Sequence, residues 1–245
     1  MKHEIQNFTF QNPTKILFGR NRIEDIDNEI PKDAKVLVLY GGGSVKKNGA
    51  FDRAIKALGE REWDEFSGIE ANPTFETLMK AVEKVRAGKF NYLLAIGGGS
   101  VIDGTKFVSA ASLFTEDPVD LFGWGVGKGL PVQEVVPFGT ILTLPATGSE
   151  MNSGAVITLV EKKAKVSFRG PKTFPVFSVL EPELTYTLPV RQLVNGLLDT
   201  FIHVMENYLT YPVGALLQDR YAESILQTLI EIAPRVIDTD HIDYN

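Results

Sequence analysis

Apolar and polar positions fall in blocks along this chain. Residues 34–44, AKVLVLYGGGS, hold an apolar run that stops at three glycines, and residues 91–100, NYLLAIGGGS, repeat the design. A short β-branched and leucine-rich run that ends in a glycine turn reads as a strand buried on both faces, the habit of a parallel sheet. Between the two runs the spacing becomes helical. AFDRAIKALGE at 50–60 predicts one helix. NPTFETLMKAVEKVRAGK at 72–89 predicts a second, opening on Asn-Pro-Thr and stopping at Gly88. Strand–helix–strand alternation implies an α/β fold, a parallel sheet with helices on both faces. FGTILTLP at 138–145 continues the sheet. GAVITLV at 154–160 and KVSFRG at 165–170 flank the polar turn EKKA and read as paired strands. PVFSVLEPELTYTLP at 175–189 predicts one more strand and a proline-bounded corner.

After Pro189 the pattern changes. Residues 190–210 and 214–237 are long helical patterns with no strand between them. The expected organisation is therefore an α/β domain over 1–189 and a helical segment over 190–245. That segment is small for an independent domain and is expected to be the first part of a longer helical unit.

Composition narrows the function classes. Hydrophobic residues make up 44% of the 245, enough for a sizeable core. The net charge is −6 and the isoelectric point about 5.2, so a basic footprint for nucleic acid is absent. Polar residues interrupt every apolar run before it could span a bilayer, and the N-terminal segment lacks the apolar centre of a signal peptide. With no cysteine, disulfides and cysteine-ligated zinc or iron–sulfur sites are excluded. A cytoplasmic protein with neither a nucleic-acid nor a membrane partner is expected, and any metal must be held by His, Asp or Glu.

Three stretches carry candidate chemistry. In GGGSVIDGTKF (97–107), Gly97, Gly98, Gly99 and Ser100 let backbone N–H groups approach a ligand, and the following helix N-terminus favours an anion, so the turn suits a pyrophosphate. Asp103, one turn into that helix, is placed to hydrogen-bond a ribose or an amide. A ligand-free strand-to-helix turn has the same composition. In YGGGSVKKNG (40–49) the strand end offers Gly42, Gly43 and Ser44, then Lys46 and Lys47, where an acid would repel a ribose 2′-phosphate. That leans to NADP(H), unless the lysines are only a solvated pair. LTLPATGSEMNSGAV (142–156) is dense in small hydroxyl residues: Thr143, Thr147, Ser149 and Asn152 suit a cofactor or a surface loop equally. Lys165 opens the next strand, where a lone lysine is usually surface.

Asp199 and His203 stand four apart in a helical pattern, on one face and one turn apart. Such a pair can chelate a divalent ion or form an Asp–His hydrogen bond. Of the other histidines, His3 is terminal and His241 falls in a polar turn, so neither completes a metal site.

Taken together, NPTKILFG, VLYGGGSVKKNG, AIGGGSVIDGTKF, LTLPATGSE and LEPELTYTLPVRQLVNGLLDTFIHVMENYLT make the whole chain resemble the iron-containing (group III) alcohol dehydrogenases, nearest to their NADPH-dependent aldehyde reductase and butanol dehydrogenase branch. The resemblance implies a Rossmann-like NADP(H)-binding domain, a helical domain, and hydride transfer between NAD(P)H and small alcohols or aldehydes. It implies pyrophosphate binding at Gly97 to Ser100 with Asp103 nearby, ribose selection at Gly42, Gly43 and Ser44, and further cofactor contacts at Thr143, Asn152 and Lys165. It places the first two ligands of a catalytic divalent metal, Fe²⁺ or Zn²⁺, on Asp199 and His203, with two histidine ligands beyond residue 245. A homodimer is expected. The sequence departs from the family at Glu181, where Asp is common, and at Met151, where a small polar residue is usual. A dehydroquinate-synthase-like lyase shares the scaffold, but GGGSVKK and LPATGSE argue against it. A nucleotide-binding fragment without catalysis is the other alternative.

Overall fold

In the computed structural model, which describes residues 7–210 and 214–238, the chain opens with strand β1 (Lys15–Phe18) and the one-turn helix α1 (Ile26–Glu29). Strand β2 (Val36–Tyr40) leads through a glycine turn into the short helix α2 (Ser44–Lys47), helix α3 (Ala50–Leu58) and strand β3 (Trp63–Phe66). Helix α4 (Phe75–Gly88) then precedes strand β4 (Tyr92–Gly97) and helix α5 (Gly99–Leu113). The Thr74 hydroxyl caps α4 by accepting from Thr77 N–H at 3.3 Å. Strands β5 (Phe138–Leu142), β6 (Gly154–Leu159), β7 (Ala164–Arg169) and β8 (Phe177–Leu180) follow, and helices α6 (Val190–Tyr208) and α7 (Leu216–Ile237) end the described chain.

Six strands form one parallel sheet in the order β1-β8-β5-β4-β2-β3. Strands β6 and β7 form a separate antiparallel hairpin. The α/β expectation holds, and it gains two strands that periodicity did not signal. KILF (β1) and WDEF (β3) are four-residue edge strands. An edge strand has one neighbour and tolerates charge, so WDEF with its two acids lacks the apolar run of a central strand.

Alternation along the central strands divides the core. Leu37, Leu39, Leu93 and Ala95 pack with α4 and α5 on one face. Val36, Val38, Leu94 and Ile96 pack with Ile23, Ile26 and α3 on the other. Each fully buried aliphatic side chain contributes roughly 1.5–3 kcal/mol. On the α5 side an aromatic cluster joins the hairpin to α5: Phe107 lies 5.6 Å from Phe122, and Phe168 of β7 meets both edge-on at 6.0 and 5.7 Å.

Topology sets where a ligand can bind. From β2 the chain moves outward to β3, then crosses back to β4 on the opposite side of β2. The pairing of β2 with β4 is thus a switch point, and the crevice beyond the strand C-termini there is the ligand site of open α/β sheets. In the β2–β4 register Tyr40 stands opposite Ile96, so the two glycine turns leave the sheet at the same level.

Candidate cofactor and metal site

The turn after β4 is tight. A Cβ at Gly99 would come within 2.4 Å of Thr147 Oγ1, so only glycine lets α5 begin this close to the 142–156 loop. Thr147 and Ser149 share a 2.7 Å hydroxyl hydrogen bond. Thr143 N–H donates to Gly97 O at 3.1 Å, tying the end of β5 to the same turn. The helix N-terminus of α5 therefore opens, through Gly99 and Ser100, on a cleft of about 670 Å³. The N–H groups of a first helical turn lack intrahelical acceptors and favour an anion.

Gly99, Ser100, Asp103, Asn152, Lys165 and His203 all line this cleft. They come from α5, the 142–156 loop, β7 and α6, so the structure brings together residues widely separated in sequence. Asp103 Oδ2 accepts from Val156 N–H at 3.0 Å, whereas its buried Oδ1 has no hydrogen-bond partner. Burial pushes the Asp103 carboxyl up, and Lys106 opposes that shift. Asn72, with φ +58°, links two sides of the cleft: its N–H donates to Ser100 Oγ at 3.3 Å and its Oδ1 accepts from Lys165 Nζ at 2.8 Å.

Lys106 escaped the reading from sequence. Its side chain is fully buried, and Nζ donates to Asn152 Oδ1 at 2.8 Å and Gly154 O at 2.7 Å. Burial pulls its ammonium down to about 8, against the charges of Asp103 and Glu150. The signal in the sequence was slight, a lysine three residues after Asp103 on one helix.

The turn after β2 is open. Nothing lies within 4 Å of a Cβ built at Gly42 or Gly43, and Gly43 has φ +92°. Gly42 and Ser44 are exposed. The adjacent lysines are not equivalent. Both are exposed, but Lys46 Nζ contacts both Glu65 carboxylate oxygens at 3.1 and 2.8 Å and sits 4.5 Å from the Phe51 ring centre. Tyr40 OH also donates to Glu65, at 3.0 Å. The Lys46 side chain holds the Glu65 carboxyl below the usual range, and Glu65 in turn raises the ammonium. The expectation of two uncommitted lysines is thus corrected for Lys46, because its acid partner comes from the unanticipated strand β3.

Helix α6 reaches the cleft by close packing. A Cβ at Gly196 would fall 2.7 Å from Pro145 O, so the helix lies directly on the loop that follows β5. Asp199 and His203 follow on the same helix, with Oδ2 and Nε2 3.7 Å apart and His203 at the cleft rim. One carboxylate and one imidazole on adjacent turns suit a first-row divalent ion as two ligands of a larger set. Among the described residues no group of three or more His, Asp or Glu side chains converges on one point. His3 and His241 lie outside the described residues.

Residues 13–182 match the family model for iron-containing alcohol dehydrogenase. The chain is 50% identical over 235 residues to the NADPH-dependent aldehyde reductase YqhD of Escherichia coli K12, covering 95% of this chain and 60% of that one. It is 43% identical to a probable NADH-dependent butanol dehydrogenase of Bacillus subtilis, with 95% and 60% covered. The crystal structure of E. coli YqhD superposes with a TM-score of 0.92 at 48% identity over 98% of this chain and 61% of that one. That of NADH-dependent butanol dehydrogenase A from Thermotoga maritima gives 0.90 at 37%, over 98% and 60%. The chain spans about three fifths of the length of these relatives. With its glycine turns at the switch point and His203 at the cleft rim, the chain belongs to the iron-containing alcohol dehydrogenase family.

Proposed function

We propose that this protein is a metal-dependent oxidoreductase that interconverts small aldehydes and alcohols with NADP(H). Residues 1–189 hold the cofactor and residues 190–245 carry the first two metal ligands. The observation that carries this reading is the placement of two glycine turns, level with each other at the β2–β4 switch point, the inner of which borders a cleft whose rim bears His203.

When bound, NADP(H) supplies or accepts the hydride, and a divalent metal, Fe²⁺ or Zn²⁺, polarises the substrate oxygen. The protein's own groups bind and orient. The Gly97–Ser100 turn and the α5 N-terminus receive the pyrophosphate. Asp103, which lines the cleft, accepts from a ribose hydroxyl or the carboxamide. Gly42, Gly43 and Ser44 leave room for a 2′-phosphate, with Lys47 close in sequence. Asn152 and Lys165 shape the remaining wall, Thr143 at the end of β5 stays a cofactor contact through the glycine turn it is bonded to, and Asp199 with His203 holds the metal. A homodimer located in the cytoplasm belongs to the same reading; light scattering of the purified protein reads the subunit number.

Asp199→Ala and His203→Ala test the assignment. Each is expected to lose the metal and metal-dependent butanal reduction, while NADPH affinity changes by no more than about twofold because the glycine turns lie on other elements. Elemental mass spectrometry and NADPH fluorescence titration measure the two properties separately. Full metal occupancy in both variants would overturn the ligand assignment.

A further inference from the structure

Lys106 is a lysine without solvent exposure in the middle of α5. A buried ammonium costs several kcal/mol unless its donors are satisfied and a counter-charge is near. Here all its partners belong to the cleft. Asn152 Oδ1 accepts from Lys106 Nζ and also from Gly154 N–H at 3.0 Å, while Asn152 Nδ2 donates to Gly148 O at 2.9 Å. Lys106 Nζ donates as well to Gly154 O, and stands 3.7 Å from Asp103 Oδ1, the carboxylate oxygen without a hydrogen bond. One ammonium thus joins the helix behind the glycine turn to the 148–154 segment that forms the opposite wall.

We propose that Lys106 is a positioning residue for the dinucleotide: its ammonium fixes Asp103 and the 148–154 segment in one arrangement and offsets the Asp103 charge beneath the place where a polyanionic cofactor lies. The inference rests on the NADP(H)-binding reading. An apolar side chain of similar length would fill the same volume, but it would leave Asn152 Oδ1 and Gly154 O short of a donor and Asp103 uncompensated. The charges that bear on Lys106 are Asp103 of its own helix and Glu150 of the segment packed against it. With its ammonium pulled down to about 8, Lys106 loses its proton on the alkaline side. The cleft then carries one more uncompensated negative charge, and cofactor affinity falls as pH rises. Lys46, raised by Glu65, keeps its charge across that interval.

The experiment is an NADPH fluorescence titration between pH 7 and 9.5 on the wild type, Lys106→Gln and Asp103→Asn, with thermal unfolding of each. Wild-type affinity should fall several-fold, up to about tenfold, across the interval. Lys106→Gln should bind weakly throughout with no alkaline step, and in Asp103→Asn the step should move to lower pH, because the carboxylate helps to hold the ammonium charged. Wild-type affinity and pH profile in Lys106→Gln would overturn the proposal. Should Lys106→Gln fail to fold, the comparison of wild type with Asp103→Asn decides, because an alkaline loss that stays at its wild-type pH without the carboxylate contradicts the mechanism. Tight, pH-independent binding by the wild type overturns this inference alone. Absence of NADPH binding at every pH overturns the cofactor reading and, with it, this inference.

Discussion

The two GGGS turns have the same sequence, follow neighbouring parallel strands and leave the sheet at the same level, yet they meet different surroundings. The turn after β4 is pressed against the 142–156 loop, with no space for a Cβ at Gly99, and feeds a fifteen-residue helix. The turn after β2 faces open space at Gly42 and Gly43 and feeds a four-residue helix. A glycine-rich tetrapeptide therefore does not define a site by itself. The inner turn owes its shape to close approach, and the outer turn to a positive φ and free space. On the proposed reading the first would receive the pyrophosphate and the second the group that differs between NAD(H) and NADP(H).

Substitutions that treat the turns differently can break this contrast. The largest effect is expected from Gly99→Ala, whose methyl collides with Thr147. Overpacking of about 1–3 kcal/mol lowers the unfolding temperature, and displacement of the turn from the cleft should weaken NADPH binding by roughly tenfold or more. Gly42→Ala, with space around it, serves as the matched control. Equal affinity in the two variants by fluorescence titration would remove the distinction between a wedged and an open turn.

A smaller and more selective effect is expected at Gly43→Asp. The left-handed backbone there adds strain of about 1 kcal/mol. The new carboxylate repels a 2′-phosphate, so the ratio of kcat/KM for NADPH over NADH should fall by about tenfold. Steady-state kinetics with both cofactors decide it. A parallel loss for the two cofactors would mean that this turn does not meet the ribose.

The smallest effect concerns Glu65→Gln. Lys46 is half-exposed and paired with Glu65 across the end of the sheet. Removing that carboxylate leaves the ammonium without its partner beside the outer turn. NADPH affinity should then rise by about threefold, more at low salt than at high salt, with NADH unchanged. An equal gain for NADH would assign the effect to general charge and not to the 2′-phosphate.

Much of this was legible from the pattern of residues. Strands β2 and β4 are apolar throughout because both faces are covered, and their glycine stops announce the turns. Helices α3, α4, α6 and α7 were legible from 3.6-residue spacing, and Asp199 and His203 from their separation of four. Strand β3 was not legible, because an edge strand with two acids satisfies no apolar template, and with it went Glu65 and the true state of Lys46. Lys106 was not legible either: a lysine in a helix is ordinarily solvated, and only packing between α5, the 148–154 segment and β6 makes it a buried cation.

The sequence by itself determined the central strands and the longer helices, the glycine turns and the residue types able to hold an anion or a divalent ion, because these depend on neighbours a few positions away. Tertiary structure decided which turn is wedged and which is open, that Gly196 lets α6 settle on Pro145 and carry His203 to the cleft, and that Lys106 and Lys46 are engaged by Asn152 and by Glu65. Those outcomes depend on contacts between segments far apart in the chain, whose distances and burial no local pattern of residues encodes.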